Sequence, residues 1–239
     1  MRLSLIITNL ATGGAEMMLH KLLQNIDRSR FQPTVISLMG KGEIGPRIEA
    51  LGIPVHALGM RRDAPNPLTV IHLARLLRRL QPDVVHTWMY HSDLAGGLAA
   101  RLAGRRRVVW CLRHSNLSKT ENKRSTLAVV KLCARLSGWV PQSIVSCSQR
   151  AKEVHAAVGY VDEKIHVIPN GFDLDRFVPD ATARTSVRAE LDLPPDAPMV
   201  GVVARYDVQK NHLGLVQAAA QVLAQQPSVH FVLAGKDVD

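Results

Sequence analysis

The chain has 239 residues, 46% of them hydrophobic and 4% aromatic, ample for one large or two smaller domains cored by Leu, Val, Ile and Ala. Its net charge of +10 is unevenly placed: up to Asn170 about 24 Lys and Arg stand against about 11 Asp and Glu, and beyond it about 6 against about 9, so the first part is expected to face an anionic partner such as a membrane surface, a nucleic acid or a phosphorylated substrate. No apolar run approaches the ~18 residues of a membrane span, and Cys111, Cys133 and Cys147, odd in number and none closely spaced, weigh against a disulfide framework or zinc site and for reduced thiols in a cytosolic protein.

Leu3 to Ile7 reads as a first strand; its apolar run is too short, and lacks the cleavage site, of a signal peptide. Thr8 to Gly14 is a loop, and Ala15 to Ile26 a helix with Met18, Leu19, Leu22, Leu23 and Ile26 facing inward. Gly13 and Gly14 stand where strand hands over to helix, so backbone N–H groups can approach a ligand with no Cβ in the way; a plain tight turn is the simpler account. Glu16, in the first helical turn, complements the helix dipole. A second strand, Thr34 to Leu38, lacks the acid at its end, and the first turn lacks the G-x-G-x-x-G, that a nicotinamide site needs. A short helix from Glu43 to Leu51 is expected to be broken by Pro46, followed by a strand from Val55 to Leu58 and a loop from Arg61 to Pro67. Thr69 to Leu80 is amphipathic, with Arg75, Arg78 and Arg79 on a face that is either merely solvated or in contact with anionic headgroups.

Val84 to Trp88 is the next strand. His86, His91 and Asp93 gather near its end, but their spacing fits no usual metal-ligand pattern. A helix from Leu94 to Ala103, rich in Ala and Gly, is suited to close packing, and Arg105 to Arg107 read as exposed surface. Val108 to Leu112 is a strand followed at once by Arg113, His114, Ser115 and Asn116; in an open parallel sheet ligands collect at such carboxyl ends, which places His114 well. A helix from Thr126 to Leu136, a strand from Ser143 to Cys147, a helix to Ala157 capped by Ser148, and a strand from Ile165 to Ile168 follow. Pro169, Asn170 and Gly171 punctuate the chain, and from Phe172 to Pro198 the composition turns to Asp, Pro and Ala, with one short helix near Val187 to Leu191. Val200 to Val203 reads as a buried strand that delivers Arg205 and Lys210 beside the start of a helix, whose face of Leu213, Val216, Ala219, Ala220 and Leu223 is expected to pack inward. Two cations at a helix N-terminus suit a diphosphate. Val229 to Ala234 is the last strand.

This alternation predicts a parallel α/β sheet with right-handed crossovers, divided as a Rossmann-like domain over 1–171, a crossing over 172–198 and the opening of a second Rossmann-like domain over 199–239.

Four stretches, in order, carry a resemblance to the retaining glycosyltransferases of family four: Asn9 to Glu16 (Asn-Leu-Ala-Thr-Gly-Gly-Ala-Glu), Cys111 to Ser115 (Cys-Leu-Arg-His-Ser), Val145 to Ser148 with Val167 to Asp173, and Val203 to Asn211. The resemblance implies two facing Rossmann-like domains and a nucleotide-diphosphate sugar as donor substrate. It implies that Arg205 and Lys210 hold the diphosphate, that the Gly13 and Gly14 amides approach it, that His114 contacts the donor sugar or polarises the reacting centre, that Glu16 and Ser115 face the acceptor, and that Asn170 and Gly171 mark the domain crossing. No metal and no bound cofactor is expected. The acceptor is expected to be lipid-linked, phosphorylated or a saccharide, the setting cell-envelope polysaccharide or glycolipid synthesis, and the place the cytoplasm, peripheral on the inner face of the membrane; no nucleic-acid partner is expected. The family's Glu-x7-Glu segment would lie beyond Asp239, so the resemblance also implies a half-built donor site and an incomplete, poorly active chain. The competing readings are a nucleotide-sugar epimerase or hydrolase on the same fold, and a non-catalytic basic module that binds anions or membrane.

Overall fold

The computed structural model describes residues 1–61 and 68–238; beyond Arg61, the expected loop to Pro67 lies outside them. The chain divides into two units, Met1–Asn170 and Gly171 onward.

The first unit is a seven-stranded, wholly parallel sheet in the order β3-β2-β1-β4-β5-β6-β7. Its strands are β1 (Arg2–Ile7), β2 (Gln32–Ser37), β3 (Val55–Ala57), β4 (Val84–Trp88), β5 (Val108–Leu112), β6 (Ser143–Ser146) and β7 (Ile165–Val167). Between them run α1 (Gly14–Gln24), α2 (Ile44–Glu49), α3 (Leu68–Leu80), α4 (Tyr90–Leu102), α5 (Arg124–Leu136) and α6 (Gln149–Val158). The expected parallel α/β sheet is what forms, with helices on both faces. Period-two alternation sends Leu5 and Ile7 to one face, against Leu19 and Leu23 of α1 and Ile44 and Ile48 of α2. It sends Ile6 to the other, against Leu73 and Leu77 of α3, Ala99 and Ala100 of α4 and Val130 of α5. A Cβ on Gly97 would lie 2.6 Å from Val140 Cγ1 and 2.8 Å from Trp110 Nε1, so α4 approaches the sheet more closely than an alanine permits.

Three local expectations are corrected. The α4 helix starts at Tyr90 rather than Leu94, because Met89 at φ 74° turns the chain directly out of β4; His91 and Asp93 are therefore first-turn residues. Pro46 sits in the first turn of α2, where its missing N–H has no intrahelical acceptor to lose, and does not break the helix. Leu22, expected to face inward, is 41% exposed.

The second unit holds α7 (Ala181–Glu190), the parallel pair β8 (Met199–Val203) and β9 (His230–Ala234), and α8 (His212–Gln225) between those strands. The α7 helix begins six residues before the expected Val187, because the Asp180 carboxylate accepts from the Thr182 and Ala183 N–H groups at 2.8 and 3.3 Å and caps it there. The expected burial of β8 and of the α8 stripe fails: Val203 is 88% exposed, Leu213 70% and Val216 56%, since two strands and one helix leave a sheet face and a helix face without cover.

Candidate functional site

Strand order reverses between β1 and β4, and in open parallel sheets ligands sit outside the carboxyl ends of strands at such a switch point. The β1–α1 loop, the start of α4 and the β5–α5 loop all open there. The Thr8 and Ser92 hydroxyls meet at 3.0 Å and tie the first two together.

Gly13 is the N-cap of α1, fully extended at φ −164°, and its carbonyl accepts the Met17 N–H at 3.0 Å. A Cβ there would fall 2.5 Å from Glu16 Oε2. The carboxylate thus folds back toward Gly13, and Glu16 is buried at 7% exposure rather than projecting into solvent. Its negative charge lies over the positive end of α1. Gly14 has open space where a Cβ would stand, so the N–H groups of the first turn are approachable.

His114 emerges two residues after β5 and is exposed, with one face of its imidazole stacked on Tyr90 at 6.0 Å and 28°. Partial burial lowers its pKa below the ordinary 6.5, so it is neutral at pH 7, able to accept a proton on one nitrogen and donate from the other. Tyr90 is itself buried and its hydroxyl lies 2.8 Å from His155 Nε2, while His155 Nδ1 lies 2.6 Å from the Ala151 carbonyl. A carbonyl can only accept, so Nδ1 carries the proton and Nε2 accepts from the phenol. Desolvation holds His155 neutral. Ser115 is exposed beside His114.

Arg113 lays its guanidinium 4.9 Å over the Trp88 ring and donates to Asn170 Oδ1 at 2.7 Å. The last residue of the first unit is thereby fastened to the histidine-bearing loop. Sequence reasoning passed over Arg113, although it stands inside the Cys111 to Ser115 motif. It also passed over Tyr90 and His155, for which no local signal exists.

The expected gathering of His86, His91 and Asp93 does not form a common site. His86 shares its face of β4 with Trp88, at 5.5 Å between rings, whereas Asp93 takes a hydrogen bond from the Thr87 hydroxyl at 2.5 Å on the opposite face. Burial first, and Arg113 second, push the His86 pKa down to about 4. Among the described residues no group of three or more His, Cys, Asp or Glu is arranged to hold a metal ion, and no helix is long and apolar enough to cross a membrane. Cys111, Cys133 and Cys147 are free thiols.

In the second unit, Arg205 and Lys210 occupy one loop at the carboxyl end of β8, both exposed. Arg205 pairs with the Asp207 carboxylate at 3.0 Å. That carboxylate also accepts the Gln209 N–H at 3.0 Å, and the two together, the backbone bond foremost, hold it below the usual range. Asn211, at φ 51°, then starts α8 by accepting from the Gly214 N–H. A Cβ on Gly235 would collide with the Ala204 carbonyl, which brings the chain after β9 against the chain after β8. Two cations beside a helix N-terminus are thus assembled within this unit, and the glycine turn and His114 within the other.

Three comparisons bear on this arrangement. EpsF of Bacillus subtilis (strain 168), a protein named as a glycosyltransferase, is 28% identical over 240 residues, which is 96% of this chain and 60% of EpsF. A UDP-Gal:alpha-D-GlcNAc-diphosphoundecaprenol alpha-1,3-galactosyltransferase of Escherichia coli is 30% identical over 170 residues, 70% of this chain and 44% of that enzyme. The crystal structure of HepE from Anabaena in complex with UDP-glucose has the same fold, with a TM-score of 0.78 at 21% identity over 97% of this chain and 60% of that one. The chain thus spans 60% of the length of EpsF and of HepE. The profile of Glycosyltransferase Family 4 matches residues 12–176 in one run, from the glycine turn through the histidine loop and past Asn170, and on that match the chain belongs to glycosyltransferase family 4.

Proposed function

We propose that the chain is part of an enzyme that moves a sugar, with retention at the anomeric carbon, from a nucleotide-diphosphate donor to a lipid-linked, phosphorylated or saccharide acceptor in the building of cell-envelope polysaccharide or glycolipid. The observation that carries this reading is the pair Arg205 and Lys210 at the end of β8, beside the N-terminus of α8. Breaking the anomeric bond leaves negative charge on the departing diphosphate. Fixed cations stabilise that charge as it develops, and each is worth about 3 kcal/mol in such a role. They do so without a metal, so the reaction is read as metal-free. Within the first unit, the open amides at Gly14 are read as suited to an anionic group of the donor, and the neutral His114 imidazole, held against Tyr90, as suited to contact with the donor sugar. Ser115 and Glu16 are read as facing the acceptor, Glu16 from the first turn of α1.

Support for the substrates comes from the relatives. The E. coli enzyme is named for a diphosphoundecaprenol acceptor and a UDP-Gal donor, and HepE holds UDP-glucose. An undecaprenol-linked acceptor lies in a membrane, and the cationic excess of the first unit suits work on the anionic inner face of the cytoplasmic membrane.

The test is calorimetric titration of UDP and of UDP-sugars into the 239-residue chain and its Arg205→Ala/Lys210→Ala variant, with release of UDP followed in the presence of a polyprenyl-diphosphate-linked sugar and of EDTA. The expected result is weaker binding and turnover lowered by about a hundredfold or more in the variant, with EDTA leaving the reaction unchanged. Equal affinity and equal turnover in the two proteins would sink the assignment.

A further inference from the structure

The diphosphate reading of the second unit leaves one carboxylate unexplained. Asp207 stands between Arg205 and Lys210, in the loop where an anionic donor group is proposed to sit. A negative charge beside an anion site weakens it by Coulomb repulsion, so Asp207 is either incidental to binding or contributes something that outweighs its charge.

The contacts around it favour the second. The backbone on either side of Arg205 is fixed by the end of β9 and the chain after it: the Ala204 N–H donates to the Ala234 carbonyl at 2.9 Å, and the Tyr206 N–H to the Lys236 carbonyl at 2.8 Å. The Arg205 side chain is another matter. It is 53% exposed, and a long side chain that open to water samples many rotamers, a freedom it gives up on gripping a phosphate. Asp207 removes much of that freedom beforehand. Its Oδ2 accepts from Arg205 Nη2 at 3.0 Å. That bond engages one of the guanidinium's five N–H donors, so an edge of the fork is left for phosphate oxygens.

The carboxylate is itself held. Oδ1 accepts the Gln209 N–H at 3.0 Å and so caps the 3-10 turn Val208–Lys210. The bond from Gln209, and the Arg205 guanidinium after it, keep the carboxyl below the usual carboxylate range, so it is ionised at pH 7. The Asp207 carbonyl accepts the Lys210 N–H at 2.9 Å. One residue thus touches both cations, the side chain of Arg205 and the main chain of Lys210.

We propose that Asp207 is a positioning residue for the donor diphosphate: it holds the Arg205 guanidinium ready for the phosphate oxygens, and the affinity gained from an ordered cation exceeds the affinity lost to the added negative charge. The proposal deepens, and rests on, the reading of Arg205 and Lys210 as the diphosphate-binding pair. It gives the two carboxylate oxygens different duties, Oδ1 to the turn and Oδ2 to the arginine, and one substitution separates them. Asparagine caps as well as aspartate does, so in Asp207→Asn the remaining oxygen keeps the Gln209 N–H, while Nδ2, a donor, faces the donors of Arg205 and cannot hold them. The same substitution removes a negative charge from beside the site. Repulsion alone therefore predicts tighter binding of an anion, and positioning predicts weaker binding.

The experiment is calorimetric titration of UDP into the 239-residue chain and its Asp207→Asn, Arg205→Ala and Arg205→Ala/Asp207→Asn variants, each checked as folded by circular dichroism. Asp207→Asn is expected to weaken binding about two- to fivefold, the range of an exposed ion pair. In the Arg205→Ala background there is no guanidinium to hold, and the same substitution is expected to leave the affinity unchanged or to tighten it by up to about twofold. Should the asparagine variant not fold, Asp207→Ser, a capping residue without the charge, takes its place with the same expectations. UDP bound as tightly or more tightly by Asp207→Asn than by the parent, with Arg205→Ala still weakened, overturns the positioning role and leaves the diphosphate assignment standing. Equal weakening by Asp207→Asn with and without Arg205 shows the carboxylate acting on the turn alone, and overturns the positioning role as well. If the parent binds no UDP, or binds it no better than Arg205→Ala does, the positioning role falls together with the reading it rests on.

Discussion

Asp93 offers the sharpest quantitative test of the reading of the switch-point edge. Its side chain is wholly buried in the first turn of α4. Oδ1 accepts from the Thr87 hydroxyl at 2.5 Å and from the Cys111 N–H at 3.4 Å, and Oδ2 is buried without a hydrogen-bond partner. Desolvation outweighs these two bonds and raises the pKa well above 3.8. A carboxyl whose folded pKa is raised contributes fully below its unfolded pKa and loses stability as pH rises through the interval between the two values. Within that interval each pH unit costs the folded state about 1.4 kcal/mol. An asparagine in its place would keep the shape and both bonds to Oδ1 but could not ionise in either state. Asp93→Asn is therefore expected to match the parent within about 0.5 kcal/mol near pH 4 and to gain on it above that, by at most about 1.4 kcal/mol per unit and only up to the folded pKa, where the difference levels off. The assay is urea unfolding of both proteins at intervals from about pH 4 to 8, followed by the emission of the buried Trp88 and Trp110, which report the first unit. Groups that titrate alike in both chains cancel in the difference. A stability difference that stays flat with pH, or a parent chain that gains on the variant as pH rises, would refute the argument that this carboxyl is held protonated.

How far these features can be read from the bare chain depends on how local their cause is. The strands β4 and β5 fall on their expected residues, Val84–Trp88 and Val108–Leu112, because each is an apolar run punctuated by its own neighbours. The parallel α/β sheet follows from the βα alternation in the same way. The start of α4 was hidden because Met89 takes a positive φ that local chemistry would assign to Gly or Asn, and only the surrounding packing imposes it. Gly13 and Gly14 could be seen, but not that the Glu16 carboxylate folds back toward the first while the second faces open space. The platform under His114 was out of reach, since Tyr90 and His155 stand 65 positions apart and each alone is an ordinary core aromatic. The link from Arg113 to Asn170, 57 positions apart, joins two motifs that could be seen only singly. For β8 and α8 the periodicity defined an apolar face but not what lies on it, and in this chain Val203 and Leu213, expected to pack inward, meet solvent.

Two further perturbations test the packing on which the site stands. Gly97→Ala places a Cβ 2.6 Å from Val140 Cγ1; overpacking of about 1–3 kcal/mol should exceed the propensity gain of about 1 kcal/mol, and a chain as stable as or more stable than the parent in urea unfolding would show that α4 does not need its close approach. The Tyr90–His155 bond calls for a double-mutant cycle. Tyr90→Phe strands the buried His155 Nε2, and His155→Leu strands the buried Tyr90 hydroxyl, each at about 1–3 kcal/mol. The pair together should cost less than the two singles summed, by about 0.5–3 kcal/mol. Because His114 rests on the Tyr90 ring, its own titration, followed by NMR of the imidazole, should stay below 6.5 in Tyr90→Phe, which keeps the ring, and return toward 6.5 in Tyr90→Ala, which opens that face to water. Additive singles would deny the bond, and a His114 titration indifferent to the loss of the ring would deny that Tyr90 is what desolvates it.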